Sequence, residues 1–117
     1  MYGLRDSDID EILSVLRQFP EVESAVLFGS RAKGNYRNGS DVDLALKGDH
    51  ITFSTILAIA GTLNEDTLMP YRFDVLDYNQ IANPDLVAHI ERVGKLLYHK
   101  APLATQVNEP PEEYSKP

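Results

Sequence analysis

The chain has no cysteine. That excludes disulfides and thiolate-bound metals, so any metal must sit on oxygen or imidazole ligands. It is also short of positive charge: 11 Lys and Arg stand against 18 Asp and Glu, a formal net charge of -7. A long nucleic-acid footprint needs a basic face, and this balance disfavours one. A small anionic substrate screened by a metal stays open. No apolar run approaches a membrane span. The opening Met1-Tyr2-Gly3-Leu4-Arg5-Asp6 lacks the basic and apolar regions of a secretory signal. The expectation is a cytoplasmic protein without a membrane partner.

What is present fits one small domain of 117 residues with ordinary apolar and charged fractions, 43% and 25%. Ser7 is the expected cap of a first helix, with Asp8 and Asp10 in its positive first turn and Ile9, Ile12, Leu13 and Leu16 at helical spacing. Pro20 ends it. Ser24 to Phe28 reads as a buried strand and Gly29-Ser30 as a turn, with a short helical piece over Arg31 to Lys33. Gly34 to Ser40 is polar and holds the turn dipeptide Asn38-Gly39. Asp41 to Leu46 alternates as a second strand, with Asp41, Asp43 and Ala45 on one face and Val42, Leu44 and Leu46 on the other.

Phe53, Ile56, Leu57, Ala60 and Leu63 form the apolar stripe of a second long helix, and any surplus apolar surface there is available to a partner. Tyr71 to Leu76 is a third strand. Asn83 as cap, Pro84 at the first helical position and Gly94 past the end bound a last helix with Leu86, Ile90 and Val93 buried. Leu96 to Tyr98 adds an extended piece. The fold class is therefore α/β (α+β), a small mixed sheet with helices packed against it. The link between the first two strands is too short for a long crossover helix, which favours an antiparallel pair. The domain is expected over residues 1–99, and the Pro- and Glu-rich residues 100–117 as a flexible tail.

The chemistry-bearing pattern is Gly29-Ser30, ten intervening residues, then Asp41-Val42-Asp43. A Gly-Ser turn offers backbone N–H groups to phosphate oxygens. Two carboxylates on one strand face, with α-carbons roughly 6.6–7 Å apart, can share a hard divalent cation that bridges those oxygens. A third acid would complete the site. Asp74, inside the apolar Tyr71 to Leu76 run, is the preferred candidate because an acid there needs a partner. Asp77, three residues on, is the alternative at the strand end. Arg31 and Lys33 are expected either at the phosphates or as surface cations. Tyr36 and Arg37 read as a solvated loop in preference to a lining of the acceptor side. His50, His89 and His99 show no ligand spacing.

The spaced Gly29-Ser30 and Asp41-Val42-Asp43 motif resembles that of the nucleotidyltransferase superfamily that includes DNA polymerase beta. At this size it is similar to the minimal nucleotidyltransferases. Ser40, the Phe73-Asp74-Val75 strand and the segments Asn83-Pro84, His89-Ile90 and Val93-Gly94-Lys95 extend the resemblance over residues 7–99. It implies a nucleotidyltransferase fold and an ATP- and magnesium-binding adenylyltransferase using two Mg²⁺ ions. Gly29 and Ser30 would hold the triphosphate, with Arg31, Lys33 and Ser40 beside them, and Asp41, Asp43 and Asp74 would be the metal-binding and catalytic acids. It also implies a HEPN-type helical partner in a toxin–antitoxin system, with AMP passed from ATP to a partner tyrosine. The competing expectation is a non-catalytic antitoxin that masks its partner by contact.

Overall fold

Helix α1 (Asp6–Arg17) starts one residue before the expected cap. Asp8 lies at its third position, accepting from the Arg5 backbone N–H at 3.0 Å and from the Arg5 guanidinium at 3.0 and 3.2 Å. Reciprocal use of the third helical residue fixes the start, and Ser7 falls inside the first turn, exposed. Ile12, Val15 and Leu16 are its buried face. The structure is a computed structural model that describes residues 1–37 and 41–100. Asn38-Gly39, Ser40 and residues 101–117, nearly all of the expected tail, lie outside the described residues.

Four strands follow: β1 (Ser24–Phe28), β2 (Val42–Lys47), β3 (Phe73–Asp77) and β4 (Lys95–His99), in the sheet order β3-β2-β1-β4. β1 is antiparallel to both β2 and β4, whereas β2 and β3 run parallel. The parallel pair requires a crossover, supplied by α3 (Phe53–Glu65). The sheet is mixed, as the short link between the first two strands predicts. The third strand starts later than expected: Tyr71 and Arg72 precede it and Asp77 belongs to it.

Strand alternation sorts side chains onto two covered faces. Ala25, Leu27, Val42, Leu44 and Leu46 join Ile12, Leu16, Ile59 and Leu63 in the main core beneath α1 and α3. Burying each Leu or Ile there is worth about 1.5–3 kcal/mol. Phe28 and Ala45 meet Ile90 of α4 (Pro84–Val93) on the other face, with Val26, Leu76 and Leu86 around them. Asp43 shares the parity of Ala45, so it projects on this second face.

Two details set the orientation of α3. Thr52 caps it, and Thr55 donates to Glu21 Oε2 at 2.7 Å. That turns Thr55, Ile59 and Leu63 inward at four-residue spacing. Phe53 and Leu57, expected in the core stripe, are instead 75% and 56% exposed. For α4, Asn83 accepts from the Asp85 N–H at 2.9 Å, Pro84 occupies the first turn and Gly94 follows the end, as the sequence predicts. Only Ile90 of its expected face is fully buried; Leu86 and Val93 are half-buried. Among the described residues no helix is long and apolar enough to cross a membrane.

Candidate active site

Strand β1 ends at Phe28, and the chain turns directly into α2 (Gly29–Lys33), a single helical turn. Gly29 has φ +75°, and a Cβ there would overlap the Asp43 carboxylate. Only glycine fits both constraints. The turn and the acid are brought together by the β1–β2 ladder, in which Phe28 opposes Asp43. The first N–H groups of a helix have no partner within it, so the start of α2 presents backbone donors beside a carboxylate.

Asp43 is also the register partner of Asp74 across the parallel β2–β3 pair. Parallel partners project on one side of the sheet, which brings the third acid to the second. Burial, repulsion from Asp74 and from Asp41, and a hydrogen bond with Asp74 push the Asp43 carboxyl up to about 6. Asp41 stands just before β2, exposed, two residues from Asp43. Asp74 is half-buried, and its Oδ1 lies 3.7 Å from Arg72 Nε. Asp77 is elsewhere: it pairs with Leu46 at the far end of β3 and accepts from the Asn79 N–H at 3.1 Å, capping a 3-10 turn. The geometry therefore groups Asp41, Asp43 and Asp74.

These acids fit a divalent cation by their donor chemistry. All are hard oxygen ligands, and the crowding that raises the Asp43 carboxyl is what a cation relieves. Among the described residues no three His, Asp or Glu side chains already close around one point. Magnesium needs no such cage, taking one or two carboxylates with substrate phosphates and water.

The remaining expected contacts divide. Ser30 is half-buried and Lys33 exposed, both on α2. Ser40 lies outside the described residues. Arg31 is not a surface cation, one of the two expectations for it. It is 2% exposed, its Nη1 donates to the Tyr2 carbonyl at 3.0 Å, and its guanidinium lies 5.1 Å and 4.9 Å from the Tyr36 and Tyr71 ring centroids. Tyr36 is accordingly half-buried rather than in a solvated loop. A planar cation can be buried when its faces meet aromatic rings.

Two neighbours escaped sequence reasoning. Asn64 of α3 accepts from the Phe73 N–H at 2.8 Å and donates to the Phe73 carbonyl at 3.0 Å. It thereby pins the edge strand one residue before Asp74. No local pattern announces it, since a polar residue near a helix end is ordinary. His89 of α4 sets its ring edge-on to Phe28, with centroids 6.3 Å apart. This brings an imidazole to the face that carries Asp43.

Comparison with known proteins bears on the family and the fold. The family model described as polymerase beta, nucleotidyltransferase matches residues 10–102. The protein adenylyltransferase MntA of Aphanizomenon flos-aquae (strain 2012/KM1/D3) is 31% identical over 114 residues, 89% of this chain and 69% of the relative. Among solved structures, a toxin–antitoxin with AMP-PNP superposes with a TM-score of 0.64 at 23% identity, over 83% of this chain and 75% of the other. A tri-AMPylated Shewanella oneidensis HEPN toxin in complex with MNT antitoxin gives 0.63 at 21% identity, over 83% and 74%. At those identities the structures speak for the fold. With its Gly-Ser turn and carboxylates held together on that fold, this chain belongs to the polymerase beta nucleotidyltransferase family.

Proposed function

We propose that this nucleotidyltransferase is a magnesium-dependent antitoxin that transfers AMP from ATP to a tyrosine of a HEPN-type partner. The observation that carries the reading is the Asp43–Asp74 register pair beside Gly29. It puts two acids where a phosphate held by the turn would meet an incoming hydroxyl. The similarity to a protein adenylyltransferase supports AMP as the group moved. The likeness of fold to toxin–antitoxin structures supports the partner.

In this reading the backbone at Gly29 and Ser30 cradles the triphosphate, with Lys33 alongside it. Asp41, Asp43 and Asp74 would hold Mg²⁺, which when bound neutralises charge on the phosphate oxygens. Asp74 orients the tyrosine hydroxyl and accepts its proton. The hydroxyl oxygen forms a bond to the α-phosphorus while the bond to the bridging α–β oxygen breaks, and diphosphate leaves. Positioning and charge compensation supply most of the acceleration in such transfers.

A partner that brings the acceptor needs a surface on which to dock. The exposed Phe53 lines a cleft of about 710 Å³ with Ile51, Ile56, Val75, Ile81 and Leu86, and the exposed Leu57 lies four residues along the same helix. Open apolar area of this kind marks a protein contact. The same surface favours a second reading, neutralisation by contact alone. Incubation with Mg²⁺, the protein encoded beside this one, and ATP labelled at either the α- or the γ-phosphate separates them. Label on the partner from α but not from γ supports adenylyl transfer. Neutralisation without label supports masking.

A further inference from the structure

We infer that Arg31, braced by Tyr2, Gly3, Tyr36 and Tyr71, is a positioning residue that fixes the nucleotide-binding turn from beneath. The inference deepens the proposed reading and rests on Gly29-Ser30 being where ATP binds.

A five-residue helix cannot hold itself in place, because forming one turn costs more order than its hydrogen bonds return. The position of α2 must come from what it buries, and it buries two side chains, Arg31 and Ala32. Ala32 is small. Arg31 therefore carries most of the contact that decides where Gly29 and Ser30 sit relative to Asp43.

The groups around Arg31 come from distant parts of the chain. Tyr2 and Gly3 approach from the N-terminal segment, with φ +56° and +75°, and the Tyr2 carbonyl accepts from Nη1. Tyr36 follows α2, and its ring faces the guanidinium. Tyr71 precedes β3, covers the same cation and donates its hydroxyl to Asp8 at 2.9 Å. One buried cation thus joins the segment before α1, the start of α1, the turn and the approach to the Asp74 strand. Tyr2, a non-glycine residue at positive φ, persists there only where the surroundings impose it, and Gly3 takes its positive φ freely. Here they deliver a carbonyl to Arg31 while leaving room for its side chain: a Cβ on Gly3 would overlap both Arg31 Nη1 and the Tyr36 ring.

The role predicts effects on ATP binding from substitutions that touch no nucleotide. Arg31→Met keeps the buried volume and removes the planar cation, and Arg31→Lys keeps the charge without the fork that spans two rings and a carbonyl. Gly3→Ala keeps the arginine but displaces its guanidinium. Each variant is assayed as the full chain for ATP affinity by calorimetry with Mg²⁺, for KM and kcat in transfer to the partner, and for melting midpoint. Arg31→Met and Gly3→Ala are expected to raise Kd and KM for ATP about tenfold, the loss that follows when a displaced turn gives up about one hydrogen bond to the phosphates. Their kcat at saturating ATP should change less, and Arg31→Lys should fall between wild type and Arg31→Met. Loss of structure alone would lower the active fraction, reducing kcat with KM unchanged. If Arg31→Met does not fold, Gly3→Ala decides. Unchanged ATP affinity in a folded variant, or a fall in kcat with unchanged KM, overturns the inference. Wild-type protein that binds no ATP overturns the proposed function itself.

Discussion

Asp43 and Asp74 are register partners on adjacent parallel strands, so two carboxylates share one face of the sheet. Asp43 also abuts Gly29, and its carboxyl is pushed up to about 6 by burial first and then by the neighbouring acids.

Without divalent ions the stability of the fold depends on pH through Asp43. A folded-state pKa above the ordinary carboxylate value means the folded chain holds its proton more tightly than the unfolded chain. Stability therefore falls as pH rises from about 4 to about 6, and the cost persists above that. Asp43→Asn should stabilise the metal-free protein by about 1 kcal/mol at pH 8, discounted because the group is partly solvated, and by almost nothing at pH 4. Urea melts in a chelator at both pH values check this. Transfer activity should be lost in the same variant.

Gly29→Ala places a Cβ against the Asp43 carboxylate at a φ of +75°. Either the turn or the acid must move. The expected result is a loss of at least about 100-fold in kcat/KM, the penalty for misplacing reacting groups by an ångström. Fold stability should drop by about 1–2 kcal/mol, measurable in a denaturant melt.

Asn64→Ala removes both hydrogen bonds that pin Phe73. The edge strand should loosen just ahead of Asp74. Stability is expected to fall by about 1–2 kcal/mol, and kcat more than the KM for ATP. Hydrogen exchange should show faster exchange at the Phe73 amide than in wild type.

Asp8 is 2% exposed and bonded to Arg5 and Tyr71. Its hydrogen bonds with the Arg5 side chain, ahead of other causes, hold its carboxyl below the ordinary value of 3.8. A depressed carboxyl contributes stability above that value and loses it as pH falls through the folded pKa. Asp8→Asn should therefore destabilise by about 2 kcal/mol at pH 7 and markedly less at pH 2.5, as followed by thermal melts.

Phe53→Glu with Leu57→Glu should weaken partner binding at least tenfold while shifting the melting midpoint little, because both side chains already face solvent. Titration calorimetry against the purified partner checks it.

Much of this was legible in the sequence because it is local. Strand alternation put Asp43 opposite the Val42, Leu44 and Leu46 face, and the Asn83, Pro84 and Gly94 punctuation marked α4. The apolar character of the third strand singled out Asp74 over Asp77. What stayed hidden depends on tertiary context. Phe53 and Leu57 fit the helical period as well as Thr55 and Ile59 do, and the contact of Thr55 with Glu21 decides which set turns inward. Arg31 reads as a surface or phosphate-side cation until Tyr2, Tyr36 and Tyr71, far apart in the chain, close around it. Asn64 carries no signature before β3 lies beside it.

The most direct measurement is the intact mass of the partner protein after incubation with this chain, ATP and Mg²⁺, beside parallel reactions with Asp43→Asn and Asp74→Asn. Wild type should add the mass of one or more adenylyl groups on tyrosine, and neither variant should add any. A partner whose mass stays unchanged with wild type, or one modified equally well by the variants, would contradict catalysis by these acids.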